Sequence, residues 1–218
     1  KSRLISPIRI NNGVSFLERF LPEFEKAEKE FGVPKEIIAA IIGIESSYGS
    51  ITGRERVIDS LSTLAFDYPR RSKFFTKQLE HFLLLTREEK LDPLVMKGSY
   101  AGAMGYGQFI PSSYRSYAID FDDDGIRNIV TNPIDAIGSV ANYLSKHGWE
   151  RNATIAEALT KNDVNSNFKT SLSLKEPDSL ELASKINLPN KKYLQINFED
   201  KEFWLGHKNL YVLSRYNR

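Results

Sequence analysis

A helical segment that is apolar on nearly every side is the feature that most limits how this chain can fold. Residues 34–49, PKEIIAAIIGIESSYG, contain isoleucine at Ile37, Ile38, Ile41, Ile42 and Ile44. A helix without a polar face is stable only when other elements surround it. We therefore expect this helix to be buried, with Pro34 at its start and Gly49 as its stop.

The remaining periodicity predicts a mainly helical protein. Helices are predicted over residues 14–31 with a break at Pro22, 54–68, 72–90, 111–118 and 132–148, and over 154–160, where Thr154 and Glu157 form a capping box. On the helix at 72–90, the predicted buried stripe comprises Phe74, Phe75, Leu79, Phe82, Leu83 and Leu85. Towards the C-terminus, apolar and polar residues alternate around residues 199–201, which predicts a β-hairpin.

Composition excludes several classes of function. The 218 residues are 41% hydrophobic and 27% charged, as in soluble globular proteins. A net charge of +2 is too small to indicate a nucleic-acid partner. Cysteine is absent, which excludes disulfides, thiolate metal sites and a cysteine nucleophile. The three histidines have no metal-binding spacing.

The stretch from residue 98 to residue 113, GSYAGAMGYGQFIPSS, is called the glycine-rich segment here. Its glycines permit close backbone approach, while its tyrosines and Phe109 offer flat faces that suit a sugar ring. Gln108 and Ser99 could hydrogen-bond an amide or hydroxyl of that ring. We interpret the segment as the wall of a binding cleft. The alternative is a glycine-rich connector between two helices.

Glu45 is the acid in the most unusual setting, because it follows Ile44 near the end of the apolar helix. Burial disfavours the charged form of a carboxyl group and suits it to act as a general acid. The alternative is an acid that reaches solvent from the edge of the helix, since Ser46 and Ser47 follow at once.

A loop at residues 120–125, DFDDDG, places aspartates at alternate positions before a glycine. Hard oxygen ligands in that spacing are typical of the opening of a calcium loop. The twelfth position is Thr131 instead of glutamate, so Asp135 would have to complete a longer loop. The alternatives are a solvated turn for the aspartates and, for Asp135, a carboxylate that meets free amide groups at a helix N-terminus.

With these residues in view, the chain resembles the membrane-bound lytic transglycosylase B family, bacterial enzymes that cleave the peptidoglycan glycan strand. Five blocks carry the resemblance: IIGIESSYG (41–49), LSTLAFDYPRR (61–71), GSYAGAMGYGQFIPSSY (98–114), DAIGSVANYLSKHGW (135–149) and LYVLSRYN (210–217). They occur in the family's order over most of the chain. The loop at residue 120 is one residue longer than the usual family version.

The resemblance implies a mainly α, lysozyme-like fold with a small β-hairpin appendage near the C-terminus. Residues 1–162 are expected to form the helical catalytic domain, with the calcium-type loop at 120–135. Residues 163–218 are expected to form a loop-rich segment and a small β-hairpin that completes a long glycan cleft.

The resemblance also implies site residues. The glutamate matching Glu45 acts first as acid and then as base, while the C6 hydroxyl of the same N-acetylmuramic acid closes a 1,6-anhydro ring. The implied substrate contacts are Ser99, Gln108, Phe109, Tyr143, Arg70, Arg71, Tyr216 and Asn217, with the two arginines meeting the peptide stems. The implied ligands of a structural calcium are Asp120, Asp122, Asp124, the Ile126 carbonyl and Asp135, and no cofactor is required for the chemistry.

The main functional hypothesis is therefore a lytic murein transglycosylase that cleaves the MurNAc-GlcNAc β-1,4 bond. The alternatives are a lysozyme-type hydrolase of the same bond and a non-catalytic glycan-binding or calcium-sensing module. Expected ligands are glycan strands and stem peptides, with other cell-wall enzymes as candidate partners and a monomer as the expected state. The expected location is the bacterial periplasm, with outer-membrane anchoring through an N-terminal segment outside this sequence.

Overall fold

The structure, a computed structural model, describes residues 5–159, 194–197 and 203–216. It is mainly helical there, as predicted. Its helices are α1 (Pro7–Arg19), α2 (Leu21–Phe31), α3 (Lys35–Ser46), α4 (Val57–Asp67), α5 (Ser72–Glu88), α6 (Pro111–Tyr117), α7 (Pro133–Lys146) and α8 (Lys208–Tyr216). Its strands are β1 (Glu55–Arg56), β2 (Lys97–Gly98), β3 (Ala156–Leu159), β4 (Leu194–Asn197) and β5 (Phe203–Gly206). The chain divides into two compact units, one up to Tyr143 and one from Leu144.

The first predicted helix is two helices in the structure, α1 and α2, which meet at Phe20. Pro22 lies in the first turn of α2, where its missing N–H breaks no helical hydrogen bond. The predicted start at residue 14 is wrong. Helix α1 begins at Pro7, because the Ser6 hydroxyl caps it by accepting a hydrogen bond from the Arg9 backbone N–H.

Helix α3 is central to the core of the first unit. Its buried residues are Ile38, Ala39, Ile41, Ile42, Gly43 and Ser46. The predicted burial is wrong at Ile44, which is 49% exposed, so the helix has one open edge. The predicted end at Gly49 is also wrong: α3 ends at Ser46, because Ser47 already has left-handed backbone (φ 49°).

Helices α4 and α5 pack against each other. Phe75, Phe82 and Leu85 are buried, which confirms part of the predicted stripe on α5. Phe74 and Leu83 are exposed, contrary to the prediction. The buried residues are spaced so that they share one face of the helix, and Phe74 and Leu83 lie outside that face.

A short antiparallel pair, β1 with β2, joins two distant parts of the first unit. Glu55 lies opposite Gly98, and Arg56 lies opposite Lys97. The Val57 N–H adds a bond of 2.9 Å to the Met96 carbonyl. Strand β2 leads directly into the glycine-rich segment, so this pairing ties the start of that segment to the chain that follows α3.

The second unit contains a three-stranded antiparallel sheet in the order β3-β5-β4. The predicted hairpin is confirmed in β4 and β5, where Leu194 pairs with Gly206 and Asn197 with Phe203. The predicted helix over residues 154–160 is wrong, because β3 pairs along β5 and thereby satisfies its backbone groups. The residues that follow β5 form α8 instead of continuing the alternation.

The region from residue 160 to residue 193, most of the predicted loop-rich segment, lies outside the described residues, as does the hairpin turn. In the second unit, the buried Asn209 side chain donates to the carbonyls of Glu150 and Ala153 and accepts from the Glu150 N–H. These bonds fasten α8 to the chain that leads into β3. Among the described helices, none combines the length and apolar character needed to span a bilayer.

Candidate active site

Glu45 lies in the last turn of α3 and is partly exposed. The next residue, Ser46, is buried and held by its own hydrogen bonds. Its hydroxyl donates to the Ile42 carbonyl and accepts from the Gly49 N–H, both at 3.0 Å, and its carbonyl accepts from the Ile51 N–H at 2.8 Å. The backbone beside Glu45 is therefore fixed, and Glu45 itself is neither fully buried nor fully exposed.

The turn after Glu45 carries the chain to the glycine-rich segment. Close backbone contacts show this: a Cβ on Gly49 would lie 2.1 Å from the Tyr106 ring, and one on Gly53 would lie 2.0 Å from the Gly98 carbonyl carbon. A side chain at either position would overlap its neighbour. The structure therefore brings the end of α3 and the glycine-rich segment together.

Gln108 lies in a tight loop closed by a pair of backbone hydrogen bonds between Met104 and Phe109, at 2.9 and 3.0 Å. Its side-chain Nε2 donates to the carbonyls of Thr52 and Gly105 at 3.1 and 2.9 Å. Because both partners are acceptors, they fix which end of the amide is nitrogen. The amide hydrogens are committed, so Gln108 can offer a ligand only its carbonyl oxygen.

Ser99 organises the start of the glycine-rich segment. Its hydroxyl oxygen accepts from the backbone N–H groups of Ala101 and Ala103, at 3.3 and 3.1 Å. A hydroxyl that accepts two hydrogen bonds still has one proton to donate. Ser99 can therefore donate to a ligand at the same segment where Gln108 can accept.

Phe109 and Tyr143 are only 3% and 8% exposed, and their ring centroids are 5.6 Å apart. Tyr143 also meets Tyr117 edge-on at 5.0 Å. The interpretation of Phe109 as an open flat face is therefore wrong, because its ring is packed in the core. Tyr100, by contrast, is 79% exposed and presents the kind of face that a sugar ring can stack on.

Arg70 and Arg71 lie on the surface just before α5. The Arg71 guanidinium lies 4.4 Å from the Phe74 ring centroid. Both arginines line a surface hollow of about 470 Å³ together with Pro69, Lys73, Phe74 and Lys77. Within the part of the chain that the structure describes, neither arginine pairs with a carboxylate. Four cationic side chains therefore line the hollow, which suits it to an anionic ligand.

The acidic loop, defined as residues 120–135, brings three carboxylates together. Asp120, Asp122 and Asp135 each offer an oxygen, and these oxygens lie within 4.8 Å of one another. Asp124 is not in this cluster, and its Oδ1 accepts from the Ile126 N–H at 2.8 Å. Three of the five predicted ligands thus converge, and their hard oxygen donors fit a calcium ion.

Asp135 is the buried member of this cluster. Its two oxygens accept from the backbone N–H groups of Phe121 and Asn128, both at 2.7 Å. Burial raises the pKa of Asp135, the two N–H groups oppose that change, and the charges of Asp122 and Asp120 reinforce it. Asp135 therefore ties the start of the acidic loop and its middle to the first turn of α7, which neither sequence-based alternative for this residue anticipated.

Comparison with known proteins decides the family. The whole chain, residues 1–218, matches the family described as "Transglycosylase SLT domain". The chain belongs to this family. Membrane-bound lytic murein transglycosylase B of Escherichia coli (strain K12) is 41% identical over 223 residues, which cover 100% of this chain and 62% of the relative. The chain thus spans less than two thirds of that relative's length.

Solved structures of family members agree with the fold. Soluble lytic transglycosylase SltB1 from Pseudomonas aeruginosa is 44% identical with a TM-score of 0.84, covering 99% of this chain and 75% of that one. Slt35 of E. coli in complex with calcium is 40% identical (TM-score 0.84; 99% and 70% covered). SltB3 of P. aeruginosa in complex with NAG-anhNAM-pentapeptide is 29% identical (TM-score 0.84; 98% and 60% covered). The predicted mainly α, lysozyme-like fold is confirmed.

Two residues near this candidate site carry no signal in the sequence. Thr52 accepts from Gln108 through its backbone carbonyl, a group that every residue has. Tyr48 lies between α1 and α3, and its hydroxyl donates to the Arg9 carbonyl. Of the remaining predicted contacts, Tyr216 ends α8 in the second unit, and Asn217 lies outside the described residues.

Proposed function

We propose that the protein is a lytic murein transglycosylase that cleaves the MurNAc-GlcNAc β-1,4 bond and leaves 1,6-anhydro-MurNAc ends. One observation carries the proposal: Glu45 is the one carboxyl group in residues 45–54 and 98–113, the described segments that meet at the candidate site. The next acid, Glu55, is exposed on β1 opposite Gly98. Most glycosidases need two carboxylates. Membership of the transglycosylase SLT domain family supports the same reading.

In the proposed reaction, Glu45 gives its proton to the glycosidic oxygen as the bond from that oxygen to C1 of MurNAc breaks. The resulting carboxylate then takes the proton of the C6 hydroxyl as O6 bonds to C1, which restores the acid. No water enters, so atoms and protons balance within the substrate and Glu45. The substrate's own acetamido oxygen can stabilise positive charge at C1, the task of the second carboxylate in other glycosidases.

Gln108 and Ser99 are proposed to hold the sugar, because one offers an acceptor and the other a donor. The Gln108 oxygen suits the N–H of an acetamido group or a hydroxyl, and the Ser99 hydroxyl suits a sugar oxygen. Phe109 and Tyr143 would then support this segment from the core. Tyr216 and Asn217 remain proposed cleft residues on the family resemblance alone.

The test of the proposal is Glu45→Gln, which keeps the size of the side chain and removes the acid. We expect release of soluble muropeptides from purified sacculi to fall at least about 10²-fold, the order expected on losing a general acid. Glu36→Gln, an exposed glutamate in the first turn of the same helix, is the matched control and should retain parental release. Near-parental release by Glu45→Gln would contradict the assignment.

Mass spectrometry of the released fragments separates this function from its alternatives. Anhydro ends are lighter than reducing ends by one water, and we expect them to predominate. Predominantly reducing ends would identify a hydrolase of lysozyme type. Absence of any turnover by the parent protein would favour the hypothesis of a non-catalytic glycan-binding module.

Arg70 and Arg71 are proposed to bind stem-peptide carboxylates, because guanidinium forks suit carboxylates and the hollow they line is cationic. Changing both to alanine should lower turnover of peptide-bearing glycan about tenfold more than turnover of naked glycan, the size expected for losing one or two charge-assisted hydrogen bonds. Equal losses on the two substrates would point to a structural role.

We further propose a structural calcium held by Asp120, Asp122 and Asp135, and a periplasmic location. The calcium complex of Slt35 and the convergence of these carboxylates support the first. The name of the E. coli relative, which is membrane-bound, supports a location near a membrane. Glycan strands and stem peptides are the proposed ligands, cell-wall enzymes are candidate partners, and light scattering would test the proposed monomer.

A further inference from the structure

The side chain of Tyr48 occupies a slot between α1 and α3 that two glycines leave open. A Cβ on Gly13 of α1 would lie 2.5 Å from its hydroxyl oxygen, and one on Gly43 of α3 would lie 2.5 Å from its Cζ atom. The hydroxyl donates to the Arg9 carbonyl of α1 at 3.1 Å. Burial raises the pKa of Tyr48 and the Arg9 charge opposes this, so the hydroxyl keeps its proton at neutral pH.

This slot lies beside a run of unusual backbone. Ser47, Tyr48 and Gly49 have φ values of 49°, 59° and 85°, three left-handed residues in succession. Glycine is the usual first left-handed residue after a helix, because a Cβ makes that conformation unfavourable. In this turn glycine is only the third left-handed residue, after Ser47 and Tyr48. A left-handed Ser47 and Tyr48 persist only if the surroundings hold them. The hydrogen bonds from the Gly49 and Ile51 N–H groups to Ser46 hold the turn from within, and the anchored Tyr48 ring ties it to α1.

The same anchorage reaches the glycine-rich segment through an aromatic neighbour. Phe16 of α1 lies 5.5 Å from the Tyr48 ring and 6.3 Å from the Tyr106 ring, centroid to centroid. Tyr106 in turn packs on Gly49. Helix α1 thus supports both sides of the candidate site: the turn after Glu45 through Tyr48, and the glycine-rich segment through Tyr106.

We propose that Tyr48 is a positioning residue for the reaction. Its anchorage on α1 holds the turn at residues 47–53, which fixes the end of α3 that carries Glu45 and presents the Thr52 carbonyl to Gln108. This inference rests on the proposed function. It assigns the N-terminal helix a part in catalysis, although no α1 residue supplies chemistry.

The first test compares Tyr48→Leu with Tyr48→Phe. The leucine variant loses the hydrogen bond and the filled slot, so kcat should fall about 10²-fold, the order expected for misplacing a catalytic group by about 1 Å, while KM changes less than about threefold. The phenylalanine variant keeps the ring and should lose less than about tenfold in kcat. Amide exchange at residues 47–53 should accelerate in the leucine variant before α5 is affected.

A control separates positioning from general destabilisation. Thr86→Val on α5 removes a buried hydroxyl that donates to the Leu83 carbonyl, so it should lower the melting midpoint and leave kcat unchanged. Parental kcat in Tyr48→Leu, assayed well below its melting midpoint, would overturn the inference. So would a loss of kcat in Thr86→Val matching that in Tyr48→Leu.

The second test uses the slot itself. Gly43→Ala places a methyl group where the Tyr48 ring lies, so it should lower kcat about as much as Tyr48→Ala does. In the double variant the methyl group meets no ring, and the two losses should not add. Additive losses would overturn the inference.

The Glu45 variant separates this inference from the proposed function. If Glu45→Gln keeps full activity, the proposed function fails. If Glu45→Gln is inactive while both Tyr48 tests fail, only the positioning role is lost.

Discussion

The turn after Glu45 and the acidic loop both depend on left-handed backbone, but different forces hold them. In the turn, rings packed against glycine act together with hydrogen bonds to Ser46, with Tyr106 on Gly49 and Tyr48 against α1. Hydrogen bonds from nearby residues fix the acidic loop, where Asp120 accepts from the N–H groups of Asp124 and Gly125. The first arrangement depends on partners far away in the chain, whereas most of the second is local.

This difference matters for function because the two sites need different things. A catalytic acid must be held in one position against its substrate, and rigid packing supplies that. A calcium ion can draw its ligands together as it binds, since its coordination geometry is flexible. Packing should therefore control activity at Glu45, and bound cation should control the stability of the acidic loop.

The largest expected effect contrasts a tightly packed glycine of the glycine-rich segment, Gly105, with an open glycine of the acidic loop, Gly125. Gly105 has φ 72° and a Cβ there would lie 2.2 Å from the Ile129 carbonyl oxygen, whereas Gly125 has φ 90° with no atom within 4 Å. Gly105→Ala should lower the free energy of unfolding by about 3 kcal/mol or more, from left-handed strain plus overpacking. Gly125→Ala should cost only about 1–2 kcal/mol.

Urea unfolding of both variants measures this contrast. Activity should follow the same order, because the Gly105 carbonyl also accepts from the Gln108 amide. Equal destabilisation by the two alanines would show that packing does not distinguish the regions.

The next effect tests the acidic loop. Calcium at about 100 times its dissociation constant should add about 2.7 kcal/mol to the free energy of unfolding. Asp122→Asn should abolish that gain. Asp123→Asn is the matched control, because Asp123 is exposed, lies outside the carboxylate cluster and has φ 62°, which asparagine tolerates.

Melting curves with calcium and with chelator measure the gain. An unchanged midpoint in the parent protein across millimolar calcium would indicate that the carboxylate cluster is a solvated turn and not a calcium site. A gain retained in Asp122→Asn would place the ion elsewhere.

The same contrast explains what the sequence could predict. Ligand spacing is local, so the convergence of Asp120, Asp122 and Asp135 could be anticipated from residue order. Helices α3 and α7 could be anticipated in the same way, because apolar spacing and a starting proline lie within each segment. The end of α3 could not, because Ser47 and not glycine takes the first left-handed position. The family resemblance then turned these local patterns into an expected lysozyme-like fold.

Features set by distant contacts could not be predicted. The burial of Phe109 depends on Tyr143, and the strand at β3 depends on β5, which overrides the local capping box at Thr154 and Glu157. The role of Tyr48 depends on two glycines in different helices. In each case at least one deciding partner is far away in sequence, so local periodicity cannot reveal it.

The smallest expected effect concerns an ion pair on α6, the helix between the glycine-rich segment and the acidic loop. Glu88 of α5 accepts bonds of 2.9 and 2.7 Å from the Arg115 guanidinium of α6. The hydrogen bond from Arg115 lowers the pKa of Glu88 below its ordinary 4.5. Because the folded pKa is the lower one, the pair stabilises the protein above pH 4.5 and this contribution is lost as pH falls through the folded value.

Glu88→Gln should therefore lower the melting midpoint slightly at pH 7, since pairs near the surface contribute little. The difference between parent and variant should shrink as pH falls below 4.5 and as salt is added. Activity should not change, because the pair ties α5 to α6 without touching the turn that carries Glu45. A loss of activity in Glu88→Gln would mean that weak surface charge, and not packing alone, helps to position the proposed catalytic acid, and the contrast between the two regions would fail at that point.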